Sequence, residues 1–315
     1  MSTKIKLDCP VNFLQEDLTD LLRVNGFERG EDESECVVVD PGTKYLLGEY
    51  SFTKHKNLKT VKETYFGKYK NLKVVGTPST GTNHLDLDYL SSRGVKVFCL
   101  LDDRKSLEDI QASAEFTWLH IMNAVRKFTL SVKHVNKWRG AEEKLRSREL
   151  AGKKIGIIGF GRIGKKIAKY SKTFGLHIKY YDPYVEDDEY ESVKNIQELR
   201  DCDIISINCY LTEETNNLIS DGIFDNFKKG LIVVNTSRGE VVDEEYIYQL
   251  VAQNLIFYSC DVLCGEQNLK KLKDSKLMKM NSYKENLVIT PHVAGATLES
   301  QTKALRAILK LCKNV

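Results

Sequence analysis

The sequence predicts an α/β fold in two domains, and three observations lead there. Short β-branched runs alternate with amphipathic stretches along the chain, which implies crossover units and parallel sheets covered on both faces. At about 100–200 residues per domain, 315 residues are too many for one small core. A helical pattern longer than any crossover needs then separates one group of strand-like runs from another.

The first group is "ECVVVD" at 35–40, "LKVVGT" at 72–77 and "VKVFCL" at 95–100. The helical pattern runs from about Leu107 to Trp138 and gives way to the polar "RGAEEKLRSREL" before "AGKKIGIIGFG". The second group is "KKIGIIG", "HIKYYD", "DIISIN", "LIVVNTS", "FYSCDV" and "NLVIT". These assign a substrate unit to residues 1–102 and a dinucleotide unit to 103–291. A last helical stretch, "LESQTKALRAILKLCK" at 298–313, follows the final strand and is able to pack back on the first unit, so 292–315 is counted with it.

Composition narrows the function. With 42% hydrophobic and 29% charged residues the chain is ordinary for a globular protein, and 47 basic against 44 acidic side chains give no sign of nucleic acid as a partner. The opening "MSTKIKLDCPVNF" lacks the apolar core of a secretory signal, and no apolar run is long enough for a membrane span, so a cytoplasmic location is expected. Eight cysteines are scattered with no C-x-x-C pair and read as reduced core residues. A zinc site on Cys260 and Cys264 has spacing in its favour but no second ligand pair, and no metal is expected. The acidic "EDDEYE" at 186–191 and the lysine-rich 270–284 read as solvated faces.

Chemistry begins at "IGIIGFGRIGKKIAKY". Gly159, Gly161 and Gly164 form G-x-G-x-x-G directly after a predicted strand and at the opening of a helix. The first glycine permits a tight turn, the second lets backbone approach a pyrophosphate, and the third packs helix on strand, leaving helix-start N–H groups facing an anion. Alone, such glycines often serve packing only. Here a second strand, "HIKYYD", ends in Asp182, 18 residues beyond the last glycine, where a carboxylate accepts from a ribose diol. That carboxylate repels a 2′-phosphate, which favours NAD over NADP.

Three further strands end in polar groups: Arg238 after "LIVVNTS", Glu266 shortly after "FYSCDV", and His292 after "NLVITP". Singly, each has a bland reading as a loop cation, a solvated carboxylate or a capped histidine. Strand ends of an open parallel sheet converge on one crevice, however, and a guanidinium, a carboxylate and an imidazole there have joint chemical sense. Arg238 holds a carboxylate or keto oxygen, and Glu266 favours the charged form of His292, the proton donor when a keto acid is reduced.

Nearly the whole chain resembles the D-isomer-specific 2-hydroxyacid dehydrogenase family, the group that includes D-3-phosphoglycerate dehydrogenase. The stretches that carry the resemblance are "GTPSTGTNHLDLDYLSSRGVKV" (76–97), "ASAEFTW" (112–118), "RELAGKKIGIIGFGRIGKKIA" (148–168), "YYDP" (180–183), "LTEETNNLI" (211–219), "VVNTSRGEVVDEE" (233–245), "DVLCGE" (261–266) and "TPHVAGAT" (290–297). The resemblance implies two Rossmann-like domains, a substrate domain split between both chain ends, a deep interdomain cleft binding NAD, and a homodimer built on the cofactor domains. It implies catalytic roles for Arg238, Glu266 and His292 and a nicotinamide carboxamide contact for Asp261. Arg162 and Ile163 match the pyrophosphate turn; Thr215, Thr236 and Gly295 match cofactor-lining positions; Ser79, Thr80 and Gly81 match the loop whose amides receive the substrate carboxylate.

Two departures qualify this. Phosphoglycerate dehydrogenases usually carry arginine near "DPGT" (40–43) and "GTPSTG" (76–81), and neither stretch has one here, which leaves a substrate phosphate without its charge-assisted partners. Asn208 and Tyr210 stand where the family commonly has His and Pro. No regulatory domain is expected after Val315. The expected activity is NAD-dependent interconversion of a D-2-hydroxy acid and its 2-keto acid, the alternatives being an NAD-sensing corepressor-like module or a formate- or phosphite-type dehydrogenase.

Overall fold

The computed structural model describes residues 2–9, 11, 12, 14–40, 65–82, 84–139, 142–266, 268–281, 284–313 and 315. Of the stretch "DPGT", residues 41–43 lie outside them. The chain forms two compact units, one of residues 1–111 with 296–315 and one of residues 112–295.

In the first unit, strands β1 (Thr3–Asp8), β2 (Phe27–Arg29), β3 (Cys36–Val39), β4 (Val74–Gly76) and β5 (Lys96–Phe98) form one parallel sheet in the order β2-β1-β3-β4-β5. Successive side chains of a strand point to opposite faces. Val38 accordingly packs with Ile5, Leu305, Ile308 and Leu309, while Val37 and Val39 pack with Tyr69, Val75 and Leu90. Every residue of β3 is buried, as a strand covered on both faces requires. The helix Leu298–Lys313 supplies the first of those layers, so the chain's last helix does complete the first unit.

In the second unit, β6 (Lys154–Ile158), β7 (His177–Tyr181), β8 (Glu191–Ser192), β9 (Ile204–Ile207), β10 (Leu231–Asn235), β11 (Ile256–Cys260) and β12 (Leu287–Ile289) pair in the order β12-β11-β10-β9-β6-β7-β8, all parallel. The chain winds outward from β6 to β8, returns beside β6 as β9, and winds out the other way. The strand order reverses between β6 and β9, and ligands of such sheets bind beyond the strand ends at that point. Helices Ala112–Arg126 and Arg162–Thr173 cover one face through Ile121, Val125 and Ile167; Glu244–Ala252 covers the other through Ile247 and Val251.

The structure differs from the sequence expectation in four places. The divisions fall after Gln111 and Gly295, where 102 and 291 were expected: Leu107 and Ile110 are buried against Leu305 and Ile308, which ties residues 103–111 to the first unit. The helical pattern from Leu107 to Trp138 is not one helix. It is Arg104–Glu108, Ala112–Arg126 and Phe128–Lys133, the last break made by Lys127 at φ 52°. Asn123 supports that break by accepting from the Thr129 amide at 2.8 Å. Strands β1, β2 and β8 were not anticipated; β1 buries only Ile5, and lysines fill its other face. The "EDDEYE" cluster is not simply solvated, since Asp187 accepts from Lys165 (3.0 Å) and Glu189 from Lys172 (2.7 Å), both on the helix beside it. Such exposed pairs are worth about 0–1 kcal/mol each.

The eight cysteines are free, five of them buried and Cys264 exposed. Among the described residues no helix is long and apolar enough to cross a membrane, and no cluster of His, Cys, Asp and Glu is placed to hold a metal ion.

Candidate active site

The glycine turn follows β6. Gly159 has φ +88°, and a β-carbon there would lie 2.6 Å from the Cys209 amide nitrogen, so the turns after β6 and β9 touch through bare backbone. A β-carbon on Gly164 would meet the Gly159 carbonyl oxygen at 2.2 Å. Gly161 is different: no atom lies within 4 Å of where its β-carbon would be. It is the N-cap of the helix Arg162–Thr173 and offers no side-chain cap, so the first N–H groups of a 12-residue helix open onto free space next to Arg162 and Ile163. That is a site for an anion. Asp182, at the end of β7, is fixed against the turn, accepting from the Phe160 amide (2.7 Å) and the Tyr184 amide (2.9 Å). Each carboxylate oxygen keeps a lone pair for a ribose hydroxyl. The cradle and the carboxylate fit NAD.

Three adjacent strands bring the polar groups together. At the end of β10, the fully buried Asn235 accepts from the Ser237 amide (3.0 Å) and donates to the Arg238 carbonyl (3.0 Å), which shapes the turn presenting Arg238. Arg238 Nη1 donates to the Ser237 carbonyl at 2.7 Å. After β11 the loop holding Glu266 is pinned from below, because the Gly265 amide donates to Glu240 and the Cys264 amide to Glu244, both at 3.1 Å. Glu266 divides its carboxylate: Oε2 accepts from the Leu263 amide at 3.1 Å, and Oε1 pairs with His292 Nδ1.

With Nδ1 committed to Glu266, Nε2 of His292 is the nitrogen left for substrate. The imidazole is half-exposed, and its pKa is raised above the ordinary histidine value. Desolvation works against the charged form and Arg238 adds to that, but the hydrogen bond and charge of Glu266, helped by Asp261, outweigh them. His292 also adopts φ +54°, which is uncommon for a residue other than glycine. Asp261 holds that backbone in place. Only 1% exposed, it accepts from Thr290 Oγ1 (2.5 Å), the Val293 amide (3.0 Å) and the Ala294 amide (2.8 Å), bracketing His292 on both sides. Its carboxylate is thus largely occupied by the loop, although the resemblance implied a nicotinamide contact.

The remaining expected residues fall as follows. Thr236 Oγ1 lies 2.6 Å from Thr117 Oγ1 at the end of β10. Thr215 donates to the Tyr210 carbonyl (2.5 Å) and accepts from the Thr212 amide (2.7 Å), closing the turn after β9, while Tyr210 stays 57% exposed. Asn208 Nδ2 donates to the Ser206 carbonyl at 3.1 Å, which folds it back on its own strand. Gly295 has open space at its β-carbon position. Ser79, Thr80 and Gly81 belong to the other unit, in the loop after β4, where Ser79 Oγ donates to the Gly81 carbonyl (2.5 Å).

Sequence reasoning missed His120, Ser259 and Thr290, which form a hydrogen-bonded chain leading to Asp261. The signals were present: one histidine in the apolar "FTWLHIMNA" and one serine in the apolar "FYSCDV".

The model of the D-isomer specific 2-hydroxyacid dehydrogenase NAD binding domain matches residues 118–294. Hydroxypyruvate reductase of Thermotoga maritima is 31% identical over 239 residues, 74% of either chain. D-3-phosphoglycerate dehydrogenase of Archaeoglobus fulgidus is 32% identical over 238 residues, 74% of this chain but 43% of that protein. Among solved structures, D-lactate dehydrogenase from Aquifex aeolicus, complexed with NAD and lactic acid, superposes with a TM-score of 0.73 at 25% identity, covering 99% of this chain and 93% of its own. Sequence match, parallel sheets and nucleotide cradle agree: the chain belongs to the D-isomer specific 2-hydroxyacid dehydrogenase family and is an NAD-dependent oxidoreductase.

Proposed function

We propose that this enzyme interconverts an unphosphorylated D-2-hydroxy acid and its 2-keto acid, with His292 as the proton-transfer group, Glu266 as its partner and Arg238 as the substrate anchor. The observation that carries the reading is the His292–Glu266 pair on adjacent strand ends of the cofactor-binding unit. Bound NADH supplies the hydride. In reduction, protonated His292 gives its Nε2 proton to the substrate oxygen as that oxygen gains charge; in oxidation, neutral His292 takes the proton back. Arg238 offers a guanidinium fork to a carboxylate or keto oxygen. Ser79, Thr80 and Gly81 are proposed, on the resemblance alone, to present amides to the substrate carboxylate. The absence of arginine from "GTPSTG" supports an unphosphorylated side chain.

The test is a panel of 2-keto acids followed at the nicotinamide absorbance, including pyruvate, hydroxypyruvate, glyoxylate and 3-phosphohydroxypyruvate, with formate in the oxidative direction. Highest kcat/KM on an unphosphorylated keto acid is expected. A preference for 3-phosphohydroxypyruvate overturns the substrate assignment, and failure of every acid while NADH still binds points to the sensor reading.

Asp182 also sets cofactor choice. NADH is expected to bind at least about tenfold more tightly than NADPH, because the 2′-phosphate would face a fixed carboxylate. Equal affinities in a fluorescence titration contradict this. A homodimer through the cofactor-binding unit is proposed as well, since Phe128, Val132, Val135 and Trp138 stand 57–83% exposed along and just beyond one short helix, a stripe that a partner would cover. Light scattering on Trp138→Glu should show a monomer if that stripe is the interface.

A further inference from the structure

We infer that His120, buried in the helix Ala112–Arg126, is a positioning residue for His292, acting through a one-way chain of hydrogen bonds that ends on Asp261. The inference rests on the reading of His292 as the proton-transfer group. His120 is 3% exposed, with Nδ1 2.7 Å from Ser259 Oγ and Nε2 3.1 Å from Thr290 Oγ1. Thr290 Oγ1 lies 2.5 Å from Asp261 Oδ1, and Asp261 receives the Val293 and Ala294 amides that directly follow His292.

The donors in this chain have only one consistent direction. An ionised carboxylate has no proton to give, so the Thr290 hydroxyl donates to Asp261 and must accept from His120 Nε2–H. His120 then carries its proton on Nε2, and Nδ1 accepts from the Ser259 hydroxyl. Burial favours this neutral form, lowering the His120 pKa against the smaller opposing pull of the Asp261 charge. Ser259 donates to His120, His120 to Thr290, and Thr290 with the two loop amides to the Asp261 carboxylate.

That alignment does two things. It keeps Asp261 fully solvated by protein, so its oxygens stay on Val293 and Ala294 and hold His292 at its unusual backbone angle. It also tempers the negative charge that Asp261 presents to His292, whose other charged neighbours are Glu266 and Arg238. A core histidine with no such role would be replaceable by a matched apolar pair at little cost, since removing both partners of a buried hydrogen bond is often nearly neutral.

The experiment compares four variants of the full-length enzyme on its best keto acid. The double variant His120→Leu with Ser259→Ala removes the head of the chain; Ser259 leaves with its partner, while Thr290 loses its donor but still donates to Asp261. Thr290→Val cuts the chain in the middle, Thr290→Ser keeps its hydroxyl, and His292→Gln reports on the underlying reading. The double variant and Thr290→Val are expected to lose about 3- to 30-fold in kcat, with NADH affinity within about twofold of wild type. In both, the alkaline limb of the pH–rate profile should move to higher pH, because a less neutralised Asp261 raises the His292 pKa further. Thr290→Ser should stay near wild type.

Unchanged kcat and limb in the double variant overturn the inference, and so does a fall in kcat with the limb unmoved, which a loosened fold alone would give. Should the double variant fail to fold, Thr290→Val read against Thr290→Ser decides by the same two measures. If His292→Gln keeps wild-type turnover, the failure lies in the assignment of His292 and not in the chain behind it.

Discussion

His292→Gln should lower keto-acid turnover by about 10²- to 10⁴-fold, the usual worth of a positioned general acid, while NADH affinity stays nearly intact. Glutamine fills the imidazole's place and can still meet Glu266, but it cannot carry a transferable proton. Steady-state kinetics and a fluorescence titration of the same preparation separate the two effects. Glu266→Gln should act more mildly and differently: the alkaline limb of the reduction profile should slide down toward the ordinary histidine value, because the hydrogen-bonded charge that lifts His292 is gone. The same lift makes a stability prediction. His292 titrates in the folded protein above its unfolded value of about 6.5, so the Glu266 pairing contributes fully below that pH, and the contribution is lost as pH rises through the folded-state value. Wild-type turnover in His292→Gln, or an unmoved limb in Glu266→Gln, would contradict the roles given to these side chains.

The second large effect is expected at the glycine turn, where neighbouring glycines should fail in opposite ways. Gly159→Ala forces a β-carbon to within 2.6 Å of backbone at Cys209 and puts alanine at φ +88°. The strained conformation alone costs about 1–3 kcal/mol, so both melting temperature and NADH binding should drop. Gly161→Ala meets nothing within 4 Å at an ordinary φ of −75°, so the fold should be nearly as stable as before, the entropic gain of about 0.4–1 kcal/mol being offset by the poorer N-cap that alanine makes. Its methyl group nonetheless enters the space that a pyrophosphate needs, and NADH affinity should fall at least about tenfold. A Gly161→Ala protein that melts normally and binds NADH like wild type would mean that the cofactor does not approach this backbone.

Both contrasts could be framed because the residues concerned were legible in the sequence. Glycine spacing, strand-end position and residue type carry direct physical meaning, so Gly159, Gly161, Asp182, Arg238, Glu266 and His292 stand out in the sequence itself. The buried strands were equally readable, since an apolar run such as "LIVVN" admits few other fates. What escaped was held by long-range contacts. Strand β1 looks polar because lysines alternate with its apolar residues, and only its pairing with β2 and β3 makes it a strand. The break at Lys127 depends on Asn123 capturing the Thr129 amide, which a helical pattern does not reveal. His120 and Ser259 lie 139 residues apart, so neither announces the other.

The helix Leu298–Lys313 has a consequence for how the protein is made. It closes the core of the first unit, yet it leaves the ribosome only after all of residues 112–295 have been synthesised. At about 5–20 residues per second, the apolar face of the first sheet waits roughly 10–40 s for its cover. The uninterrupted second unit can reach its native state during that interval. The first unit therefore completes its core after the second, and chaperone dependence should concentrate there.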